Sequence, residues 1–424
     1  MAHITIKNIG PIKEVDIDLN KINVFMGPQS SGKSTIAKII CHCQWVEKQC
    51  FPAIENGKVL ARMKSDFYDK IVEFHRLDGY FSINSSFSFV GDYFTINYNH
   101  KDKKVSIKEK ANTSYIYPKI VYIPSERNIV ATIPNLKKYN ETNDAILYFM
   151  YEWFSARDIM KQLSFNKILQ KDIVYSYISD KDYIVDNDNK ILVSNASSGI
   201  QSLTPLAIVL KYNLETIFKT EKPLSFGQRN LVYSVLDTMN GFKERGFEDK
   251  TNYLHYMLDV LKKLSITIPK NTQQIISHDE QYAAFVENVF NYHLSKIFLE
   301  EPEQNLFPDT QIRFVYWLLE LLKSGGRDNQ LTITTHSPYV LFSLNNCMMG
   351  GLVENKIPKT KRKKFDSSAA WIDPKSVSIY EIVDGRLRCI QDKDGIIEDN
   401  YLNQAYKANS AEYISLLDYY DNEE

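Results

Sequence analysis

Cysteine is scarce in this chain: five residues in 424, odd in number and scattered at Cys41, Cys43, Cys50, Cys347 and Cys389. Such spacing supports no disulfide framework and points to a reduced, cytoplasmic protein. Cys41-His42-Cys43 has the letters of a metal fragment, but alternate residues on a helix diverge, so it reads as buried core and not as a zinc site. Long apolar runs are also missing; none approaches the roughly 18 residues of a membrane helix. The opening Met1-Ala2-His3-Ile4-Thr5-Ile6 alternates like a strand, where a signal peptide would be continuously apolar. Neither secretion nor a membrane is therefore expected. Charge of one sign is lacking too, with 51 Lys and Arg against 52 Asp and Glu, so no global basic field advertises nucleic acid. Internal repeats and long heptad runs are absent, which excludes a solenoid and an extended coiled coil.

What the chain does have is length enough for two or three lobes, and one glycine-rich turn. Ile22-Asn23-Val24-Phe25-Met26 reads as a buried parallel strand. Gly27-Pro28-Gln29-Ser30-Ser31-Gly32-Lys33-Ser34-Thr35 follows, and Ile36 to Ile40 continues with helical spacing. This is the strand–loop–helix context of a phosphate-binding loop. Its glycines let the backbone wrap phosphates, and N–H groups at the helix start meet negative charge. Lys33 would neutralise the β and γ phosphates, and the Ser34 hydroxyl would hold Mg²⁺.

A second set of residues suits the same chemistry. Lys296-Ile297-Phe298-Leu299-Glu300-Glu301-Pro302-Glu303 is an apolar strand ending in carboxylates. A parallel strand beside the loop would put Glu300 near Mg²⁺ and Glu301 near the γ-phosphate, positioned to deprotonate water. Gln330 to Thr335 is another strand, and His336-Ser337-Pro338 follows at its tip, where His336 would bond the γ-phosphate. Singly, such strand ends are ordinary solvated tips; in this order after the loop they form a site.

That order resembles the ABC-type ATPase superfamily, in its soluble SMC/RecF-like and OLD-like (overcoming lysogenization defect) branch. The resemblance rests on Glu300-Glu301-Pro302-Glu303 with Asn305-Leu306-Phe307-Pro308, on Thr335-His336-Ser337-Pro338, and on Tyr122-Ile123-Pro124-Ser125-Glu126-Arg127. It implies an α/β ATPase head with a mostly parallel P-loop core sheet, an antiparallel β subdomain and a helical signature subdomain. It also implies ATP and Mg²⁺ as cofactors, Glu301 and His336 as catalytic residues, and Ser34 with Glu300 as metal ligands. Many relatives carry Asp where Glu300 stands. Arg127 either reaches a phosphate or a neighbouring subunit, or is a surface arginine in a salt bridge.

Such ATPases complete a partner's site with a signature helix, so a homodimer or higher oligomer around ATP is implied. Two stretches compete for that part: Ser197-Ser198-Gly199-Ile200-Gln201 and Leu224-Ser225-Phe226-Gly227-Gln228. The first is favoured, because Ser198 and the N–H of Gly199 must approach phosphate where Phe226 would place bulk. Lobes are expected at 1–138 (nucleotide-binding, with an inserted helix and antiparallel sheet), 139–292 (helical, signature) and 293–424 (the second half of the core, then a hairpin and helix). Residues 139–175 and most of 203–292 read as helical.

Only 88 of the 424 residues follow His336, too few for the nuclease domain of OLD proteins. The expectation is thus an ATPase alone, a sensor subunit of an anti-phage system (PARIS-like or abortive-infection-like) with a separately encoded effector, nuclease or toxin. The alternatives are a RecF/SMC-like DNA-maintenance ATPase and an ATP-stabilised scaffold with slow hydrolysis. Lys356, Lys359, Lys361, Arg362, Lys363 and Lys364 form either a solvated loop or a nucleic-acid patch.

Overall fold

The structure, a computed structural model, describes residues 2–50, 57–110, 116–133, 144–187, 189–219 and 292–420. Strands β1 (Ala2–Ile9) and β2 (Ile12–Leu19) pair antiparallel about Gly10-Pro11. After β3 (Ile22–Met26) come helices α1 (Lys33–Cys50), α2 (Gly57–Ser65) and α3 (Phe67–His75). Strands β4 (Phe81–Val90), β5 (Phe94–Asn99), β6 (Lys104–Glu109) and β7 (Pro118–Ile123) follow.

Helix α4 (Ala145–Met160) then leads into β8 (Gln162–Ser164), β9 (Ile173–Ile178), β10 (Lys181–Asp186) and β11 (Asn189–Leu192). Helix α5 (Ser198–Leu214) follows. The rest comprises β12 (Leu294–Glu300), α6 (Pro308–Lys323), β13 (Gln330–Thr335), α7 (Pro338–Val353), the hairpin β14 (Val377–Val383) with β15 (Arg386–Cys389), and α8 (Tyr401–Tyr420).

One 11-stranded sheet organises the chain, in the order β6-β5-β4-β1-β2-β15-β14-β3-β13-β12-β7. Its run from β14 to β7 is parallel throughout. Its other arm, β6 to β2, is antiparallel and continuous with the core through a β15–β2 bridge, Arg386 opposite Glu14. Period-two alternation decides what lies on each face. Val24 and Met26, Val121 and Ile123, Ile297 and Leu299 face one core, with α4 to α7. Phe25, Tyr122 and Phe298 face the other, with α1, α3 and the antiparallel arm. No described helix is long and apolar enough to cross a membrane.

Two expectations change. The parallel strand carrying Glu300 is not beside β3: β13 lies between them, because β13 pairs with β3 on one side and with β12 on the other. The helical reading of 139–175 holds for Ala145–Met160 and for the short helix Asn166–Leu169 and fails at Gln162–Ser164 and from Ile173 on, while 139–143 lie outside the described residues. Lys161 turns at φ +47°, and β8 and β9 join β10 and β11 in a second, four-stranded antiparallel sheet. An aromatic-rich run such as Val174-Tyr175-Ser176-Tyr177 suits a pleated, half-buried surface better than a helix. Arg157 of α4 ties the two layers, binding Asp182 at 2.7 Å and lying 4.6 Å from the centre of the Tyr177 ring.

Candidate functional site

The sheet register brings the three sequence motifs to one rim. Met26, the last residue of β3, lies opposite Thr335, the last of β13, and Thr334 lies opposite Glu300, the last of β12. The residues that leave these adjoining strand ends are Gly27, His336 and Glu301.

The glycine loop is built where only glycine fits. Gly32 has φ +103°, and a Cβ there would stand 2.4 Å from Ile12 Cδ1. Gly27 has φ +154°, and its Cβ would stand 2.8 Å from Ser31 Oγ. The hairpin turn of β1 and β2 thus packs under the loop. Pro28, Gln29 and Ser30 are exposed at its crest, and Thr35 is buried at its base. Lys33 donates from Nζ to the carbonyls of Gly27 (3.0 Å) and Pro28 (2.8 Å). Burial pushes its amine down to about 8, against the pull of Glu301 and Glu303, which favour the charged form.

Glu301 and His336 meet: Glu301 Oε1 is 3.6 Å from His336 Nε2. The nearby His336 imidazole holds the Glu301 carboxyl below the usual range, with Lys33 and Arg127 adding to the effect. Glu301 is therefore ionised at neutral pH. Its backbone is in the left-handed region at φ +43°, a conformation costing an ordinary residue roughly 1–2 kcal/mol. Two contacts fix it there: Glu301 N donates to Thr334 O at 2.9 Å, and Arg127 Nη2 donates to Glu301 O at 2.8 Å.

Arg127 departs from the surface reading. It is fully buried, with Nη1 donating to the Glu300 carbonyl at 2.8 Å. Both terminal nitrogens act on the turn that carries Glu300 and Glu301, so it neither lies on the surface nor points its guanidinium outward. Glu300 is buried and accepts from the Tyr122 hydroxyl at 2.6 Å and from Ser125 N at 3.3 Å.

Sequence reasoning gave Glu303 no role, yet its Oε1 accepts from Thr335 Oγ1 (2.9 Å) and His336 N (2.7 Å). It ties the turn after β12 to the turn after β13. Tyr401, at the start of α8, was likewise missed; its hydroxyl donates to Gly27 O at 3.2 Å. Glu303 was in view as the third carboxylate of its motif, whereas nothing near Tyr401 signalled the loop.

Ser198 is exposed at the N-terminus of α5. A Cβ on Gly199 would stand 3.0 Å from Asn305 O, so this helix start abuts the turn that follows Glu301. The competing stretch at 224–228 lies outside the described residues. Of the basic run, the five lysines are exposed, while Arg362 is held by Glu354.

Comparison with known families gives a match to the AAA domain family (AAA_23) over residues 3–289, more than half of the chain. The chain belongs to the AAA domain family. Comparison with curated proteins gives no match. Among solved structures, this AAA domain protein is similar to an SMC head domain from Thermotoga maritima, at 10% identity over 92% of this chain and 98% of that one, with TM-score 0.37. It is similar to a Pyrococcus furiosus Smc head with an extended coiled coil, bound to the C-terminal domain of ScpA (10%, 92% and 96%, TM-score 0.31). It is also similar to the recombination mediator RecF (10%, 92% and 97%, TM-score 0.30). At such TM-scores these likenesses carry no argument about function.

Proposed function

We propose that the chain is a Mg²⁺-dependent ATPase that dimerises around ATP and works as a nucleotide-governed switch. The observation that carries this reading is the shared rim, where the loop from Gly27 to Lys33, Glu301 and His336 follow three adjoining strand ends. The loop backbone and the start of α1 would cradle the phosphates, and Lys33 would exchange its two carbonyl partners for β and γ oxygens. Glu301, ionised and fixed in an unusual backbone conformation, would take the proton of the attacking water. His336 would hold the γ-phosphate side and steady Glu301, while Arg127 and Glu303 act as positioning residues.

Among the described residues no cluster of His, Cys, Asp or Glu could hold a metal alone. This fits Mg²⁺, which is usually bound by one or two protein oxygens together with substrate phosphates and water. Ser34 and Glu300 would supply those oxygens, Tyr122 orienting the carboxylate. When bound, the ion neutralises phosphate charge.

Ser198, exposed at a helix start, is the residue offered to a second copy's nucleotide. The Gly199–Asn305 approach would let that contact reach Glu301. ATP would then close the dimer and hydrolysis open it. The test is size measurement of the Glu301→Gln chain with and without MgATP. A nucleotide-dependent doubling of mass is expected; a monomer at saturating ATP overturns the composite site.

The finer reading is a sensor subunit of anti-phage defence controlling a separately encoded nuclease or toxin. It is supported by the sequence resemblance alone, and its test is whether phage challenge releases an effector co-purified with the chain. The exposed lysines at 356–364 favour a second reading, a DNA-clamping ATPase. That reading requires DNA-stimulated hydrolysis and an affinity falling steeply with salt.

A further inference from the structure

Helix α8 stands away from its own chain. Tyr401, Leu402 and Asn403 are half-buried at its root, but from Gln404 to Leu417 every residue except Ser410 is exposed, as are Tyr419 and Tyr420. A helix in a protein owes most of its stability to packing an apolar face, and α8 packs little beyond its first turn. One side of it is nonetheless apolar. Tyr406, Asn409, Tyr413, Leu416 and Tyr420 recur at alternating intervals of three and four, which aligns them in a single stripe. Tyr406 is 74% exposed, Leu416 61% and Tyr420 79%.

A second uncovered stripe has the same spacing. On α7, Tyr339, Phe342, Asn346 and Met349 are exposed and Val353 is half-buried, again three, four, three and four residues apart. Both stripes run for about 21 Å at ~1.5 Å per residue, and each contains one asparagine. Asn346 donates to the Tyr316 hydroxyl at 3.2 Å and Ser337 to Gln311 Oε1 at 2.5 Å, so α7 lies along α6. Phe307, which precedes α6, is 74% exposed at the rim end of this surface.

Position and charge point to a second copy of the chain as what covers both stripes. Tyr401 roots α8 on the glycine loop, where its hydroxyl and Lys33 Nζ share the Gly27 carbonyl. In the composite site the other copy's Ser198 meets that loop. Gly199, next to Ser198, abuts Asn305, two residues before Phe307. The root of α8 therefore faces the end of the other copy from which α6 and α7 run back from the rim. Charge agrees with a parallel course. Beyond Lys407 the sequence carries Glu412, Asp418, Asp421, Glu423 and Glu424 and no Lys or Arg. Just after α7, Lys356, Lys359, Lys361, Lys363 and Lys364 are exposed. Laid along α7 from the rim, α8 brings its acidic half toward that basic run. Laid in the same direction on another α8, it would bring carboxylates together.

We propose that α8 is an arm exchanged between the two copies of the ATP-bound dimer, its stripe seated on the other copy's α7 and Phe307. This rests on the composite ATP site proposed above. The matched spacing sets Leu416 against Met349 and the Tyr413 phenol beside Asn346. Exchange covers apolar surface in the closed state alone, so it shifts the switch toward closure.

The test uses the full chain carrying Glu301→Gln and Cys389→Ser, the second change removing the exposed thiol. Chains with Leu416→Cys are mixed with chains with Met349→Cys, and a short bismaleimide is added with and without MgATP. A covalent pair is expected in the mixture with MgATP. None is expected when Ala411→Cys, on the far side of α8, replaces Leu416→Cys. Sedimentation follows the dimer in parallel: Tyr413→Glu together with Leu416→Glu should weaken MgATP-dependent association at least tenfold, in a chain that thermal unfolding shows to be folded. Undiminished association of that folded variant overturns the arm, as does a dimer of verified mass without the cross-link. Linking of Leu416→Cys chains to one another overturns it in favour of an α8–α8 pair. A link within one chain carrying both cysteines overturns it in favour of a folded-back arm. A chain that stays monomeric in MgATP overturns the composite site and the exchange together, whereas a dimer without the cross-link overturns the exchange alone.

Discussion

Raising the pH from 7 to about 9.5 should remove the proton from Lys33 and, with it, most of the affinity for ATP. Burial brings this amine from its ordinary 10.5 down to about 8, with Glu301 and Glu303 opposing the shift. Roughly nine-tenths of the nucleotide-free chains then carry the charge at pH 7, and about one in 30 at pH 9.5. Where the polyphosphate holds the ammonium form, ATP affinity falls roughly 30-fold over that interval, and about one proton is taken up with each ATP at the alkaline end. AMP lacks the β and γ phosphates and should show no such slope. The ratio of the two affinities removes other titrating groups, such as buried Lys48 at about 7. Calorimetric titration in two buffers of different ionisation enthalpy reads both quantities. Equal ATP affinity at the two pH values, or an AMP slope as steep as that of ATP, would refute the placement of Lys33 against the phosphates. Stability should run the other way. The unfolded chain binds more protons between about 8 and 10.5, so this group makes the nucleotide-free fold more stable as pH rises through that window.

Glu301→Gln should bind ATP like the wild type and hydrolyse it about 10²–10⁴-fold more slowly, the range for loss of a general base; a wild-type rate in a phosphate-release assay would transfer the role to Glu300 or Glu303. Arg127→Lys should lower stability by about 1–3 kcal/mol, because one ammonium cannot span the Glu300 and Glu301 carbonyls and one is left unsatisfied; an unchanged denaturation midpoint would show that the turn holds itself. Ser198→Arg should bind ATP as a single subunit yet neither dimerise nor hydrolyse it. Mixing it with Lys33→Ala should restore one working site per mixed dimer, and no recovery in verified mixed dimers would remove Ser198 from the composite site.

The parts of this site that were legible in the sequence are those whose chemistry needs particular residue types at close spacing. Gly27 and Gly32 announce the loop because no other residue suits their positive φ beside Ile12 and Ser31. Glu301 and His336 were legible as polar tips on apolar strands, since a parallel sheet must present its strand ends along one rim. The strand order was not legible. β12 and β13 are similarly apolar, and only pairing shows that β13 intervenes. The hairpin of β10 and β11 about residues 186–189 was legible as two apolar runs around a polar turn, but β8 and β9 were hidden for a related reason: Val174 to Tyr177 suits a strand mainly through partners across the sheet, and Tyr183 to Ser176 is a pairing that no short window displays.

Arg127 shows the deeper limit. An arginine after a strand end suggests an anion or an exposed ion pair, the partners for which its charge is known. The groups it holds are the carbonyls of Glu300 and Glu301, which every residue possesses and which no side-chain pattern can mark. Glu303 acts in the same way, through the backbone N–H of His336. Tyr401 does so through the carbonyl of Gly27, from near the other end of the chain. Residues that touch phosphate are constrained by the ligand and therefore carry a pattern. Residues that hold those residues in place are constrained only by the fold, so their roles emerge once the strand ends are brought together.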